Sequence, residues 1–377
     1  MDLKNWAEET AGKICRKERA AAERNRGRIP YTAENGRFDD WSEGDRITWW
    51  TNGFYGGLLW QLYHAFGDPV FRDCAEEIEE KLDRNFLKTS GMDHDSGFKW
   101  LPTSGANYLV TGSPASKNRL ILAASDLAGR INLRSGLIRA WNDEGDGSRA
   151  GWAIIDTMMN LPLLYRVSEM IHDPRFRAIA ELHADHAIKA FLRPDGSAHH
   201  IVTFDPESGE IIEALGGQGM AVGSSWTRGQ AWALYGFGLS FRHTGKESYL
   251  AAARNMADYV LRNIPESGLI PVDFCQPQDC GFEDSTAAAI FSCGLLELSE
   301  AVREKAPEKS EACRDAAAKL LRVLAGERCL FDADHDNLLV NCSAAYHAEK
   351  HNFPIIYGDY FFTEAILRLC GKELFIW

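Results

Sequence analysis

The chain has 377 residues, 45% hydrophobic and 25% charged, which is enough apolar side chain for a sizeable core. Asp and Glu outnumber Lys and Arg by 54 to 41, a formal net charge of −13, and the one basic stretch, Arg16 through Arg28, is interleaved with Glu and Ala as on a solvated helix face. No nucleic-acid partner is therefore expected, and no membrane, since no run approaches eighteen consecutive apolar residues.

Along the chain, hydrophobic periodicity predicts twelve helical segments: 3–25, 49–66, 69–86, 96–111, 115–131, 152–169, 174–191, 226–243, 246–263, 285–303, 308–326 and 356–371. Strand patterns are few, His200 to Phe204 and Leu338 to Val340 among them. A repeat underlies the helices. Gly67-Asp68-Pro69-Val70-Phe71-Arg72, His172-Asp173-Pro174-Arg175-Phe176-Arg177 and Thr244-Gly245-Lys246-Glu247-Ser248-Tyr249 each separate an apolar helix from an amphipathic one. Pro at a first helical position is tolerated because its missing N–H would be unpaired there anyway. The segments beginning near 49, 152, 226, 285 and 356 are apolar around most of their circumference, and their partners carry a charged face. A helix apolar all round is buried and one with a polar stripe lies outside. The fold class is accordingly all-α, a single (α/α)6 toroid of six inner and six outer helices over residues 1–377, with the active site where the inner helices start.

The nine cysteines have no zinc-type spacing, and the nearest pair, Cys275 and Cys280, lacks flanking His ligands. They read as free thiols of a reducing compartment. Met1-Asp2-Leu3-Lys4-Asn5-Trp6 lacks the charged start and apolar run of a signal peptide, so the cytoplasm is the expected location. No metal or cofactor is expected, and the oligomeric state is left open: His199-His200 lacks the i, i+4 ligand spacing, and no dinucleotide, Walker or nucleophile-elbow motif is present.

Chemistry-bearing residues gather where inner helices begin. Asp156 lies in the apolar stretch Ala153-Ile154-Ile155-Asp156-Thr157-Met158-Met159, where a buried carboxylate must pair, ligate or titrate. Asp95, after His94, is an N-cap candidate by itself and becomes a candidate acid–base partner beside Asp156. Asp284 and Asp359 are expected to cap helices or bond internally. The long break between Leu192 and Ser225 holds His200 and Gln218, and such segments are often functional lids.

His94 to Phe98, Asp156 to Leu164, Ser225 to Trp232, the Tyr357-Gly358-Asp359-Tyr360 end and the Phe204 to Glu207 loop together resemble the unsaturated glucuronyl hydrolases, glycoside hydrolase family 88. The resemblance runs in consistent order from about Trp50 to the C-terminus. It implies an enzyme that removes a 4,5-unsaturated glucuronate from the non-reducing end of lyase-made, glycosaminoglycan-type oligosaccharides by hydrating the C4=C5 bond. Asp156 would be the general acid and base, and Asp95 would raise its pKa or stabilise positive charge. His200, Gln218, Arg228, Trp50, Trp226 and Trp232 would hold the uronate, with His94 and Tyr357 as weaker carry-overs. The nearest alternative is an unsaturated rhamnogalacturonyl hydrolase acting on pectin fragments; Asp95 and the Gln230-Ala231-Trp232 ending favour the glucuronyl group. A sugar 2-epimerase on a similar toroid would call for paired catalytic histidines on inner helices, and a helical-repeat scaffold would not bury Asp156.

Overall fold

The computed structural model describes residues 2–142, 145 and 147–377. In chain order, α1 spans Leu3–Arg24, α2 Phe54–Phe66 and α3 Pro69–Leu82. A continuous rod follows, made of α4 (Ser96–Trp100), a π-helical turn (Leu101–Gly105) and α5 (Ala106–Thr111). Pro102 cannot donate to the regular ladder, and the wider turn absorbs the interruption. Then come α6 (Pro114–Gly129), α7 (Leu161–Ile171), α8 (Pro174–Phe191), α9 (Thr227–Thr244), α10 (Glu247–Asn263), α11 (Ser285–Val302), α12 (Pro307–Val323) and α13 (Ile356–Cys370).

The inner ring consists of α2, the α4–α5 rod, α7, α9, α11 and α13, and it closes where α13 packs against α2. Outside it, α3 lies on α2, α6 on α4 and α7, α8 on α7, α10 on α9, α12 on α11, and α1 on α13. The alternation of apolar and striped helices is the cause. Every residue of α9 from Thr227 to Ser240 and of α11 from Ser285 to Ser299 is buried, whereas α10 buries Tyr249, Leu250, Ala252, Ala253, Met256, Ala257, Tyr259 and Val260 on one face. α11 is long and apolar enough to cross a bilayer by length and composition alone, but 89% of it is packed inside the protein. The ring can be tight because glycine stands at its closest contacts: a Cβ on Gly57 would come within 2.5 Å of Pro102 Cβ.

The repeated turns have the expected chemistry. Gly67 and Gly245 end α2 and α9 at φ 75° and 69°, and His172 takes the same left-handed position after α7 at φ 56°. Asp68 and Asp173 then cap α3 and α8 by accepting the N–H groups of Val70 and Arg175.

Two predicted helices start later than expected. Residues 49–66 begin with a 3-10 turn (Trp50–Gly53), itself preceded by another (Gly44–Thr48), and α2 proper starts at Phe54. The chain here must slip past the rod: a Cβ on Gly53 would be 2.3 Å from the Phe98 carbonyl oxygen. In 152–169, Trp152–Ile154 is a strand, Ile155–Met159 a 3-10 turn, and α7 starts at Leu161. That strand is part of a small β component. Two short hairpins, β1 (Ala33–Glu34) with β2 (Arg37–Phe38) and β3 (Ile131–Asn132) with β4 (Leu137–Ile138), are followed by an antiparallel sheet of β5 (Trp152–Ile154), β6 (Ile201–Phe204) and β7 (Ile211–Leu215), in that order. Ile154 pairs with Ile201, and Ile155 N donates to the His200 carbonyl at 3.0 Å. This pairing sets Asp156 beside His200.

Candidate active site

A cavity of about 430 Å³ opens at the end of the toroid where the inner helices begin, lined by Thr48, Trp49, Trp50, Asp93, His94, Asp95, Trp141, Ile154, Asp156, Gln218, Trp226 and Arg228. The candidate residues therefore converge from segments far apart in sequence.

Asp156 sits in the 3-10 turn between β5 and α7 and is 8% exposed. Burial pushes its carboxyl up to about 7, against the opposing charge of Arg228. The Trp232 indole N–H also faces it, without closing a hydrogen bond of normal geometry. Among the described residues Asp156 Oδ1 has no hydrogen-bond partner, and it lies 3.7 Å from His200 Nε2, which has none either. That separation is too long for a hydrogen bond. Burial holds His200 down to about 3, so its ring is neutral at physiological pH. Its Nδ1 accepts the Gln218 backbone N–H at 2.9 Å, which assigns the ring proton to Nε2, on the side of Asp156. Buried polar atoms without partners are uncommon; Asp156 lines the cavity, His200 lies behind that lining, and the two facing each other leave capacity for a ligand.

Asp95 precedes α4 but makes no side-chain cap there, so its carboxyl is not spent on the helix. Its Oδ2 lies 3.3 Å from His94 Nε2, and its Oδ1 is 3.5 Å from the amide of Asn160, whose nitrogen also reaches the Asp156 carbonyl at 3.3 Å. Burial, then the charges of Asp93 and Asp156, raises the Asp95 carboxyl well above the usual carboxylate range. Burial is the largest cause of the upward push on both carboxyls. His94 is pushed well down by burial, and its Nδ1 is 3.1 Å from the Thr157 hydroxyl.

Arg228 lines the cavity and is at the same time heavily engaged by the protein. It is almost fully buried: Nη1 donates to Asp284 Oδ2 at 2.6 Å, to the Thr286 hydroxyl at 3.2 Å and to the Ser343 carbonyl at 2.6 Å, while Nη2 donates to the Ala344 carbonyl. Its Cζ lies over the Trp226 ring, 4.6 Å from the centre, and over the Tyr357 ring at 5.5 Å. Both terminal nitrogens are engaged by the protein, so the two-donor grip on substrate is not free as the side chain stands; what Arg228 presents to the cavity is its charge. Asp284 both caps α11 and pairs with Arg228, and Asp359 accepts the N–H groups of Leu338 and Leu339, the internal roles expected of them.

Trp50, half-buried, and Trp226 line the cavity, and Gln218 lines it with its amide nitrogen held by the Ala344 carbonyl. Trp232 and Tyr357 lie beneath the cavity lining. Trp232 packs on Phe98 at 5.0 Å, and Tyr357 on Trp50 at 4.9 Å, so both form the floor rather than the walls. Sequence reasoning missed Trp49, Trp141 and Asn160. Trp49 could have been suspected from its adjacency to Trp50. Trp141 lies in a Gly- and Asp-rich stretch with no periodicity to give it a direction.

Residues 19–369 match the family model of Glycosyl Hydrolase Family 88. The chain belongs to this family. Within it, the chain is 36% identical over 329 residues to the unsaturated glucuronyl hydrolase of Bacillus sp. (strain GL1), covering 85% of this chain and 86% of that protein. It is 31% identical to the unsaturated chondroitin disaccharide hydrolase of Streptococcus agalactiae serotype III (strain NEM316), covering 85% and 81%. The crystal structure of the Bacillus sp. GL1 hydrolase, described as responsible for the degradation of glycosaminoglycan, superimposes with a TM-score of 0.90 at 32% identity over 96% of each chain. Family 88 membership makes the chain a glycosidase.

Proposed function

We propose that this family 88 chain releases 4,5-unsaturated glucuronic acid from the non-reducing end of lyase-generated, glycosaminoglycan-type oligosaccharides. The observation that carries the reading is Asp156: a buried carboxyl poised at about 7, with one oxygen unpartnered, in a cavity bounded by four indoles. A group with that pKa can give a proton and take one back at neutral pH. The names of the relatives, one a glucuronyl and one a chondroitin disaccharide hydrolase, support the substrate class.

In this reading Asp156 protonates C4 of the substrate alkene, and positive charge develops at C5 and the ring oxygen. The resulting carboxylate takes a proton from water as its oxygen bonds to C5. The net change is water added across C4=C5; the hydrated ring opens and the glycosidic bond collapses. Asp95, its carboxyl pushed upward by burial and by the charges of Asp93 and Asp156, holds the turn with His94. Arg228 supplies fixed positive charge, His200 a neutral N–H donor, and the indoles bound the sugar faces. The nine cysteines are all thiols, which supports a reducing compartment, and we place the chain in the cytoplasm.

The test is turnover in labelled water on a panel of lyase-made disaccharides, followed by loss of the alkene absorbance. Deuterium should enter at C4 and labelled oxygen at C5, with glycosaminoglycan-type disaccharides turned over and saturated glucuronides left intact. Label at the anomeric carbon would instead mark an ordinary retaining or inverting glycosidase. Preference for rhamnogalacturonan fragments would move the chain to pectin degradation.

A further inference from the structure

Lys99 is a buried cation that the reaction outlined above does not use. It lies one turn into α4 with its side chain fully buried, directly behind the turn that presents His94 and Asp95 to the cavity. Its ammonium donates to the Gly91 carbonyl, lies 3.9 Å from Asp93 Oδ1, and sits 5.0 Å from the centre of the Trp100 ring. Asp93 Oδ1 in turn accepts the Asp95 backbone N–H at 3.0 Å, and the Asp93 carbonyl accepts the Ser96 hydroxyl at 2.9 Å. The far end of the turn is fixed as well: a Cβ on Gly91 would come within 2.3 Å of Asn85 Nδ2 and Thr48 Cβ, and His94 N donates to the Ala140 carbonyl at 3.0 Å.

A buried ammonium is costly unless something compensates it, and a core position of this size could be filled by an apolar side chain at no such cost. We propose that Lys99 is a positioning residue for the hydrolysis: through Gly91 and Asp93 it fixes the turn of residues 91–95, and with its charge it balances the carboxyl groups that this turn gathers. The inference rests on the function proposed above. The charged neighbours among the described residues are these. Facing Asp95 are Asp93 and His94 from its own turn, Lys99 from α4, Arg130 from the end of α6, and Asp156 from the segment before α7. Facing Lys99 are Asp93 and Asp95 and, from α6 and its end, Asp126 and Arg130. Lys99 is the cation that acts most strongly on Asp95, ahead of Arg130, and Asp93 is the strongest of the negative charges. Removing the two should therefore move Asp95 in opposite directions, which general loosening of the fold cannot do.

The experiment follows the Asp95 carboxyl by 13C NMR titration, its resonance assigned by its loss in Asp95→Asn, together with kcat and KM. Lys99→Met should raise the Asp95 midpoint by about one pH unit, and Asp93→Asn should lower it. Because Lys99 is absent from the cavity wall, Lys99→Met should cut kcat on the order of tenfold with KM little changed, and Lys99→Arg should restore the midpoint. An unmoved Asp95 midpoint in folded Lys99→Met, or shifts of the same sign in both variants, would overturn the proposal. Should Lys99→Met not fold, Asp93→Asn decides alone: no downward shift means the turn does not set Asp95. The titration needs no turnover, so inactivity of the unmodified enzyme on every unsaturated uronide would refute the proposed function while leaving this inference to its own result.

Discussion

Asp156 carries opposite demands from catalysis and stability. Its folded pKa of about 7 lies above the unfolded value of 3.8, so the folded chain binds the extra proton. The resulting stability is fully present below pH 3.8 and is lost as pH rises through about 7. Asp156→Asn should abolish turnover, because an amide of nearly the same shape transfers no proton. The same variant should be more stable than the unmodified chain at pH 8, on the order of 2 kcal/mol, and the gain should vanish near pH 4. Chemical denaturation at both pH values checks the sign, and near-normal turnover would sink the assignment. Arg228 makes the complementary case. Arg228→Ala leaves the buried Asp284 without its partner and should destabilise by about 3–5 kcal/mol, besides lowering kcat. Arg228→Lys should recover little, since one ammonium cannot reach Asp284, Ser343 and Ala344 together from its place over Trp226. A stable alanine variant with unchanged kinetics would show that the pair matters to neither.

At the scale of the element, the site depends on how each inner helix is started. The Asp-Pro turns keep helix pairs in register far from the chemistry. Asp68 accepts the Val70 N–H at 3.1 Å and also takes Arg19 Nε at 2.8 Å, tying the start of α3 to α1. Asp68→Ala should cost about 1 kcal/mol by thermal or denaturant unfolding and leave KM unchanged. A large change in KM would mean that the outer helices communicate with the cavity more directly than their packing indicates. At the other end of the helices, two of the six inner helices are preceded by 3-10 turns instead of beginning at once. These tighter turns carry Trp50 and Asp156 to the cavity, where a regular helix would have rotated each to another face.

Across the whole molecule, the aromatic floor of the cavity is supported from below by the chain's last residues. The Trp377 ring stacks on Phe361 at 5.8 Å and meets Phe98 edge-on at 6.1 Å, and Phe98 and Phe361 both contact Trp232. The segment is seated by side chains from the helices around it: buried Gln61 bonds both backbone groups of Leu374, half-buried Arg166 reaches the carbonyls of Phe375 and Trp377, and buried Glu364 accepts the Trp377 indole N–H at 2.7 Å. Trp377→Ala should cost about 3–5 kcal/mol, the range for emptying an aromatic core position, and should lower turnover through the loosened floor. Full activity with an unchanged melting temperature would separate this end of the toroid from the site.

What the sequence determined by itself was everything that repeats or is local. Helix periodicity, the Asp-Pro and Gly turns, and the contrast between apolar and striped helices are set by residues a few positions apart, and they suffice for the (α/α)6 toroid. Asp156 was legible because a carboxylate inside Ile-Ile-Asp-Thr-Met-Met has few innocent explanations, and the family resemblance named most of the remaining site. Only the tertiary structure could decide what depends on partners distant in the chain. Trp152–Ile154 is a strand because Ile201–Phe204 lies beside it, which no local pattern of 152–169 announces. Arg228 is held by Asp284, Ser343 and Ala344, more than fifty residues away, so its guanidinium became an internal fixture that acts on the cavity by its charge. Trp232 and Tyr357 became floor, and Trp49 and Trp141 became wall, because a side chain's depth is set by how six helices close a ring. The pKa of Asp156 belongs to the same class: it comes from burial, a property of the assembled cavity that no stretch of sequence possesses alone.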